Sequence, residues 1–245
     1  MLDFNSKNIR GERFVALIDE AIEARARQER RRDYIGGSAI GQPCSRRIQY
    51  EYLAVPKDPG SDFGPRVRRI FRRGHECEEW LIGWIKDAGF ELRDKDRFGK
   101  QFGFEDCDGR FSGHFDGVIV GGPDGFHYPA LFEAKCLGDK GFNQLVRHGV
   151  SKAYPVYAAQ IAVYQAYGQL AQNPAFFVAV NANTMDIHCE LVPFDAALAQ
   201  QCADKAARIL SACDHGETLP RVSDDPAGYA CKFCPWHGTC WAGAK

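Results

Sequence analysis

An α/β domain built on a mixed sheet flanked by helices is the fold class that this 245-residue chain predicts. Three observations carry that reading. The apolar pattern is helical before residue 89, it changes to a period of two after Gly89, and the later order is helix, strands, helix. The length suits one well-buried domain, expected over 1–245 with a helical N-terminal region (1–88), a core (89–213) and a tail (214–245).

Residues 12–33 read as an amphipathic helix with Phe14, Leu17, Ile18, Ala21 and Ile22 on one face. Arg25, Arg27, Arg30, Arg31 and Arg32 at its end suit the negative pole of the helix dipole, either as a solvated end or as a DNA-facing stripe. A loop at 34–38 leads to a short helix with Cys44, Arg46 and Arg47, and the breakers of 54–65 make a surface loop. A second helix is expected over 66–88. Strands are expected at 90–94, 98–105, 110–120 and 126–136, a helix at 152–172, strands at 175–182 and 185–193, and a helix at 195–213. The tail reads as irregular.

Hydrophobic residues at 45% and charged residues at 26% exclude collagen-like, mucin-like and wholly disordered chains. The net charge of −1 hides an asymmetry: residues 1–74 hold 16 Lys and Arg against 10 Asp and Glu, and 14 of the 20 arginines. An anionic partner would meet that third first, and arginine's planar fork suits phosphate. No apolar run approaches the ~18–20 residues that span a bilayer. The start Met1-Leu2-Asp3-Phe4-Asn5-Ser6-Lys7 lacks the apolar core of a secretory signal. A cytoplasmic chain with reduced thiols and no membrane partner is therefore expected.

Leu131-Phe132-Glu133-Ala134-Lys135-Cys136 is the most informative segment. In a strand, Phe132, Ala134 and Cys136 share one face, and Glu133 and Lys135 the other. An isolated Glu-x-Lys is most simply a structural ion pair. Here Gly113-His114-Phe115-Asp116 precedes it at the start of an apolar strand, and adjacent strands would bring Asp116 beside Glu133. Two ionised carboxylates that close repel unless a cation lies between them, and oxygen ligands suit Mg²⁺ or Mn²⁺.

Asp116 followed by Glu133-x-Lys135 resembles the PD-(D/E)xK nuclease motif, and three further features resemble its RecB-like branch, which includes the CRISPR-adaptation exonucleases. Arg73-Gly74-His75-Glu76-x-x-Glu79 is similar to the upstream helix whose histidine binds metal, and Tyr157-x-x-Gln160-x-x-x-Tyr164 to the helix that positions DNA. Cys44 with three late cysteines resembles the branch's split iron–sulfur site. Ser38-x-x-Gly41-x-x-Cys44 is similar to nucleases encoded by bacteriophages. Phe115 stands where the family often has proline.

The resemblance implies a restriction-endonuclease-like fold and catalytic residues His75, Asp116, Glu133 and Lys135. It also implies Mg²⁺ or Mn²⁺ held by His75, Asp116, Glu133 and the Ala134 carbonyl, and DNA positioned by Gln160 and Tyr164; a cluster through Cys44 would fix Arg46 and Arg47 beside the cleft, where they could grip phosphates. The expected activity is single-strand DNA exonuclease in recombination, repair or phage DNA processing. It would act in a bacterial cell or phage-infected host, on single-stranded DNA or free ends, with a recombination or helicase partner. The alternative is a non-catalytic DNA-binding module with a structural metal site.

Cys231-x₂-Cys234-x₅-Cys240 is itself a metal signal. Three readings stand: a [4Fe–4S] cluster with Cys44 as fourth ligand, Zn²⁺ in a Cys₃His site closed by His237, or free thiols. The first would clip the N-terminal helical region to the tail. Cys77, Cys107, Cys136, Cys189, Cys202 and Cys213 lack metal-like spacing.

Overall fold

A computed structural model describes residues 9–242. Its helices and strands form two mixed sheets with helices on both sides. In the five-stranded sheet the order is β2 (Glu91–Arg93), β5 (Gly117–Gly121), β6 (Ala130–Leu137), β7 (Ala175–Asn181) and β8 (Ile187–Val192). Only β6 and β7 run parallel in it, and the other pairs are antiparallel. In the smaller sheet β4 (Phe111–His114) pairs parallel with β1 (Ile35–Gly36) and antiparallel with β3 (Gly103–Asp106).

Helix α3 (Pro65–Asp87) covers one face of the large sheet, where Cys77 and Leu81 meet Phe132, Ala134, Phe176 and Val178. Helices α4 (Asp139–Ala153) and α5 (Pro155–Tyr167) cover the other, against Leu131, Phe177 and Ala179. Helix α6 (Ala196–Asp214) packs outside α5, which explains why α5 is apolar all round rather than on one stripe. Every residue of β7 is buried, as a strand covered on both faces must be.

The expected helix at 12–33 is α1 (Ile9–Gln28), and the Cys44 segment is α2 (Ser45–Tyr52), with Cys44 at its N-cap. The structure departs from expectation at several points: the expected loop at 34–38 holds the short β1, and the strands expected at 98–105 and 126–136 begin only at Gly103 and Ala130. The single strand expected at 110–120 is two strands in different sheets, broken at Phe115-Asp116, so one mixed sheet becomes two. The helix expected at 152–172 is shorter, because Pro155 opens it in the first turn, where a missing N–H costs nothing. The preceding α4 was not expected: Gly149 interrupts it at φ 73°, and Glu190 Oε2 accepts from Val150 N at 2.8 Å just beyond the break. The tail carries two short helices, α7 (Tyr229–Lys232) and α8 (His237–Trp241).

Hydrogen bonds bind that tail to the N-terminal region. Gln49, 1% exposed, donates to the Glu217 carbonyl at 2.6 Å and accepts from Leu219 N at 2.9 Å. Asp58 accepts from Thr239 N at 3.0 Å and Thr239 Oγ1 at 2.7 Å, and Trp236 Nε1 donates to the Val55 carbonyl at 2.8 Å. Removing the Gln49 amide takes the partner from two part-buried backbone groups and empties a buried side-chain position, so Gln49→Ala should cost about 1–3 kcal/mol. Urea unfolding measures it, and an unshifted midpoint would mean that the tail is held by other contacts.

Candidate active site

Asp116 occupies the break between β4 and β5, and the register Gly117↔Phe132 sets it beside the middle of β6. Its Oδ2 accepts from Ala134 N at 2.8 Å. Glu133 and Lys135 share the β6 face opposite Phe132 and Ala134, as the alternation requires; Glu133 is buried there and Lys135 partly so. Lys135 Nζ donates to Glu133 Oε1 and to the Ala134 carbonyl (3.0 Å), and lies 4.0 Å from Asp116 Oδ2. One ammonium thus touches both carboxylates. It also sits over the Tyr157 ring, 5.2 Å from its centre.

Glu133 is 0% exposed and its Oε2 has no hydrogen-bond partner among the described residues. Burial, and then the charge of Asp116, push its carboxyl up to about 8, against the pull of Lys135. Lys135 is held above its ordinary value because the two carboxylates outweigh its burial.

Helix α3 brings a third acid. Phe71, Gly74, His75 and Glu78 lie along the helical face that lines a cleft of about 930 Å³ over Asp116, Glu133 and Lys135. Burial and then Asp116 raise the Glu78 carboxyl to about 7. His75 lines the same cleft but is 71% exposed, with Nδ1 3.9 Å from Glu78 Oε2. The sequence motif pointed to Glu79, which is exposed, whereas Glu78 faces the acids. Carrying the face of Phe71 and Gly74 on by one turn reaches 78, and that period was the usable signal.

Helix α5 holds the other wall. Gln160 donates to Glu133 Oε1 at 2.5 Å and is 5% exposed. Tyr164, 2% exposed, packs its ring 4.9 Å from that of Phe115 and 6.0 Å from that of Phe104. The glycine of Gly113-x-x-Asp116 has a steric reason: a Cβ there would stand 2.7 Å from Tyr164 Cε1, and one on Gly37 would be equally close. Arg32, from the basic run after α1, lines the cleft too.

Arg46 and Arg47 do not line it. Arg46 Nε donates to the Leu219 carbonyl at 2.5 Å and Nη1 to Cys240 Sγ at 3.4 Å, and Arg47 acts on Cys234. The four cysteines of the expected cluster are electrostatic neighbours. Burial and then Cys44, Cys240 and Cys234 raise the Cys231 thiol, and burial foremost raises Cys234. Nearby guanidinium groups favour thiolate. His237 Nδ1 lies 3.1 Å from the Cys231 carbonyl.

Among the described residues, no three or more His, Cys, Asp or Glu side chains converge closely enough to hold a metal ion as they stand. The donor chemistry nevertheless fits a hard divalent cation. Three carboxyl groups face one ammonium, and the partnerless, buried Glu133 Oε2 is a ready oxygen ligand. Among the described residues no helix is long and apolar enough to cross a membrane.

No protein-family model matches the chain, and no curated protein matches it. Among solved structures, it is similar to an alkaline exonuclease (LHK-Exo) from Laribacter hongkongensis, with TM-score 0.53 and 16% identity over 76% of this chain and 90% of that one. LHK-Exo in complex with dAMP gives 0.52 and 15% over the same shares. The protein SSO0001 gives 0.50 and 15% over 96% of this chain and 98% of that one. At such identities the likeness is one of fold: two mixed sheets flanked by helices, in an arrangement shared with an exonuclease.

Proposed function

We propose that this protein is a divalent-metal-dependent deoxyribonuclease of the PD-(D/E)xK type. The observation that supports it above all is the convergence of Asp116, from the break between β4 and β5, and Glu133, from β6, on the Lys135 ammonium. Asp116, the free Glu133 oxygen, Glu78 and the Ala134 carbonyl would hold Mg²⁺ or Mn²⁺, with His75 at the rim. When bound, the ion would lower the pKa of a water and offset charge on a phosphate. Lys135 is kept protonated by its two acids and is placed to orient the nucleophile or to neutralise a phosphate oxygen. Gln160 fixes the Glu133 carboxylate from behind, and Tyr164 fixes the floor beside Asp116. Arg32 is the cleft's own candidate for gripping a DNA phosphate.

The substrate we favour is single-stranded DNA with a free end, in recombination, repair or phage DNA processing. Lys135→Ala and Asp116→Asn should each retain DNA binding and lose cleavage by about 10²–10³-fold. Labelled single-stranded DNA with Mn²⁺, and EDTA as control, measures this; wild-type turnover in either variant would refute the catalytic roles.

We also propose that Cys44, Cys231, Cys234 and Cys240 hold a [4Fe–4S] cluster, with Arg46 and Arg47 offsetting the charge of its thiolates. Zinc closed by His237 is the competing occupant. Anaerobically purified protein should be brown, with absorbance near ~400 nm that Cys44→Ala abolishes. A colourless, zinc-containing protein overturns the cluster.

The raised carboxyls predict a pH dependence. An acid whose folded pKa is raised stabilises the fold fully below its unfolded value of about 4.3. That stability is lost as pH rises through the folded value, here about 7 for Glu78 and about 8 for Glu133. In EDTA, Tm should fall steadily from pH about 5 to pH about 8. Glu133→Gln should flatten that fall, and an equally steep fall in the variant would contradict the assignment.

A further inference from the structure

We propose that Cys77 and Cys136 are an oxidative modification site, in which hydrogen peroxide joins the two thiols as a disulfide that ties α3 to β6 and slows cleavage in the adjoining cleft. The effect on cleavage rests on the nuclease reading; the bond itself does not.

Cys136 follows Phe132 and Ala134 on the face of β6 that meets α3. Cys77, 2% exposed, lies on the matching face of α3, and both side chains pack in the same apolar cluster between α3 and β6. Neither thiol belongs to the tail's cysteine group. Cys136 is half-buried and lines the cleft, so a small solute arriving there meets it first. Their neighbours in sequence are Glu78 and Lys135.

The chemistry balances in two steps. The Cys136 sulfur takes one oxygen of the peroxide, the O–O bond breaks, and the first water leaves a sulfenic acid. The Cys77 sulfur then attacks that sulfur, the S–O bond breaks, and the oxygen departs with the thiol proton as a second water. Two thiols lose two electrons, and one peroxide gains them. The resulting S–S bond of about 2.05 Å is shorter than any non-bonded contact of two sulfurs. Forming it draws α3 toward β6 at the residue before Glu78 and the residue after Lys135.

The test treats the full chain with hydrogen peroxide, blocks remaining thiols with N-ethylmaleimide and maps the peptides by mass spectrometry. The expected result is a Cys77–Cys136 linked pair that dithiothreitol releases. Cleavage of labelled single-stranded DNA with Mn²⁺ should fall several-fold, and dithiothreitol should restore it. That reversible share should vanish in Cys77→Ala; should that variant fail to fold, Cys136→Ser at the half-buried position replaces it. Reversibility separates the bond from irreversible damage at the tail. Both thiols recovered as maleimide adducts would overturn the site, and linked protein that cuts as fast as reduced protein would overturn the control of cleavage. If reduced protein cuts no DNA, the nuclease reading fails by itself, and the linked peptide or its absence still decides the modification.

Discussion

A carboxylate with no exposed surface governs the rest of this architecture. Glu133 sits mid-strand on β6, and desolvation of its charge is opposed, among the described residues, by Lys135 and the Gln160 amide. Asp116 and Glu78 add repulsion rather than relief. An apolar group of similar size would be neutral or stabilising in such a place, because the Coulombic gain of a buried pair seldom exceeds the cost of removing both partners from water. The arrangement therefore makes poor sense as a source of stability, which is what the proposed catalytic role would require of it.

That one demand explains several otherwise unrelated features. Asp116 reaches Glu133 only because the chain leaves the small sheet after His114 and joins the large one at Gly117. The turn between the sheets is closed by the Phe115–Tyr164 contact, and the Tyr164 ring has room only because residues 37 and 113 carry no Cβ. Helix α5 is fixed in turn, since Gln160 one turn earlier must meet Glu133 from the same helix face.

The strand chemistry was legible in sequence because a period of two is a local property. Glu133 and Lys135 had to share a face of β6, and Asp116 had to precede an apolar run. The split into two sheets was not legible, since a run of apolar residues over 110–120 carries no mark of which partner each half will pair with. Helix α4 lay in a stretch to which no element was assigned, and glycines at 141 and 149 interrupt its apolar pattern, one within its first half and the other at the break. Glu78 was masked by the motif that drew attention to His75 and Glu79, while the helical period favoured 78. Arg46 and Arg47 were expected beside the cleft because a cluster through Cys44 would fix them there, but their direction depends on long-range contacts with Leu219, Cys240 and Cys234 that no local pattern encodes.

The segment between the cleft and the tail shows how the two are joined mechanically. Ser38-x-x-Gly41-x-x-Cys44 begins at the cleft wall and ends at the N-cap of α2. A Cβ on Gly41 would stand 2.8 Å from both Val156 Cα and Ala159 Cβ, so this segment lies directly on α5, a turn from Gln160. Lys205 of α6 donates to the Ile40 carbonyl at 2.9 Å and also to that of Gln42, which leaves the segment little freedom. Gln49, Asp58 and Trp236 bind the tail by hydrogen bonds whatever the four thiols hold. A cluster there would thus act on an interface already formed, closing a chain loop that spans almost the whole domain. Its influence on Glu133 would travel by one short, glycine-packed path along α5.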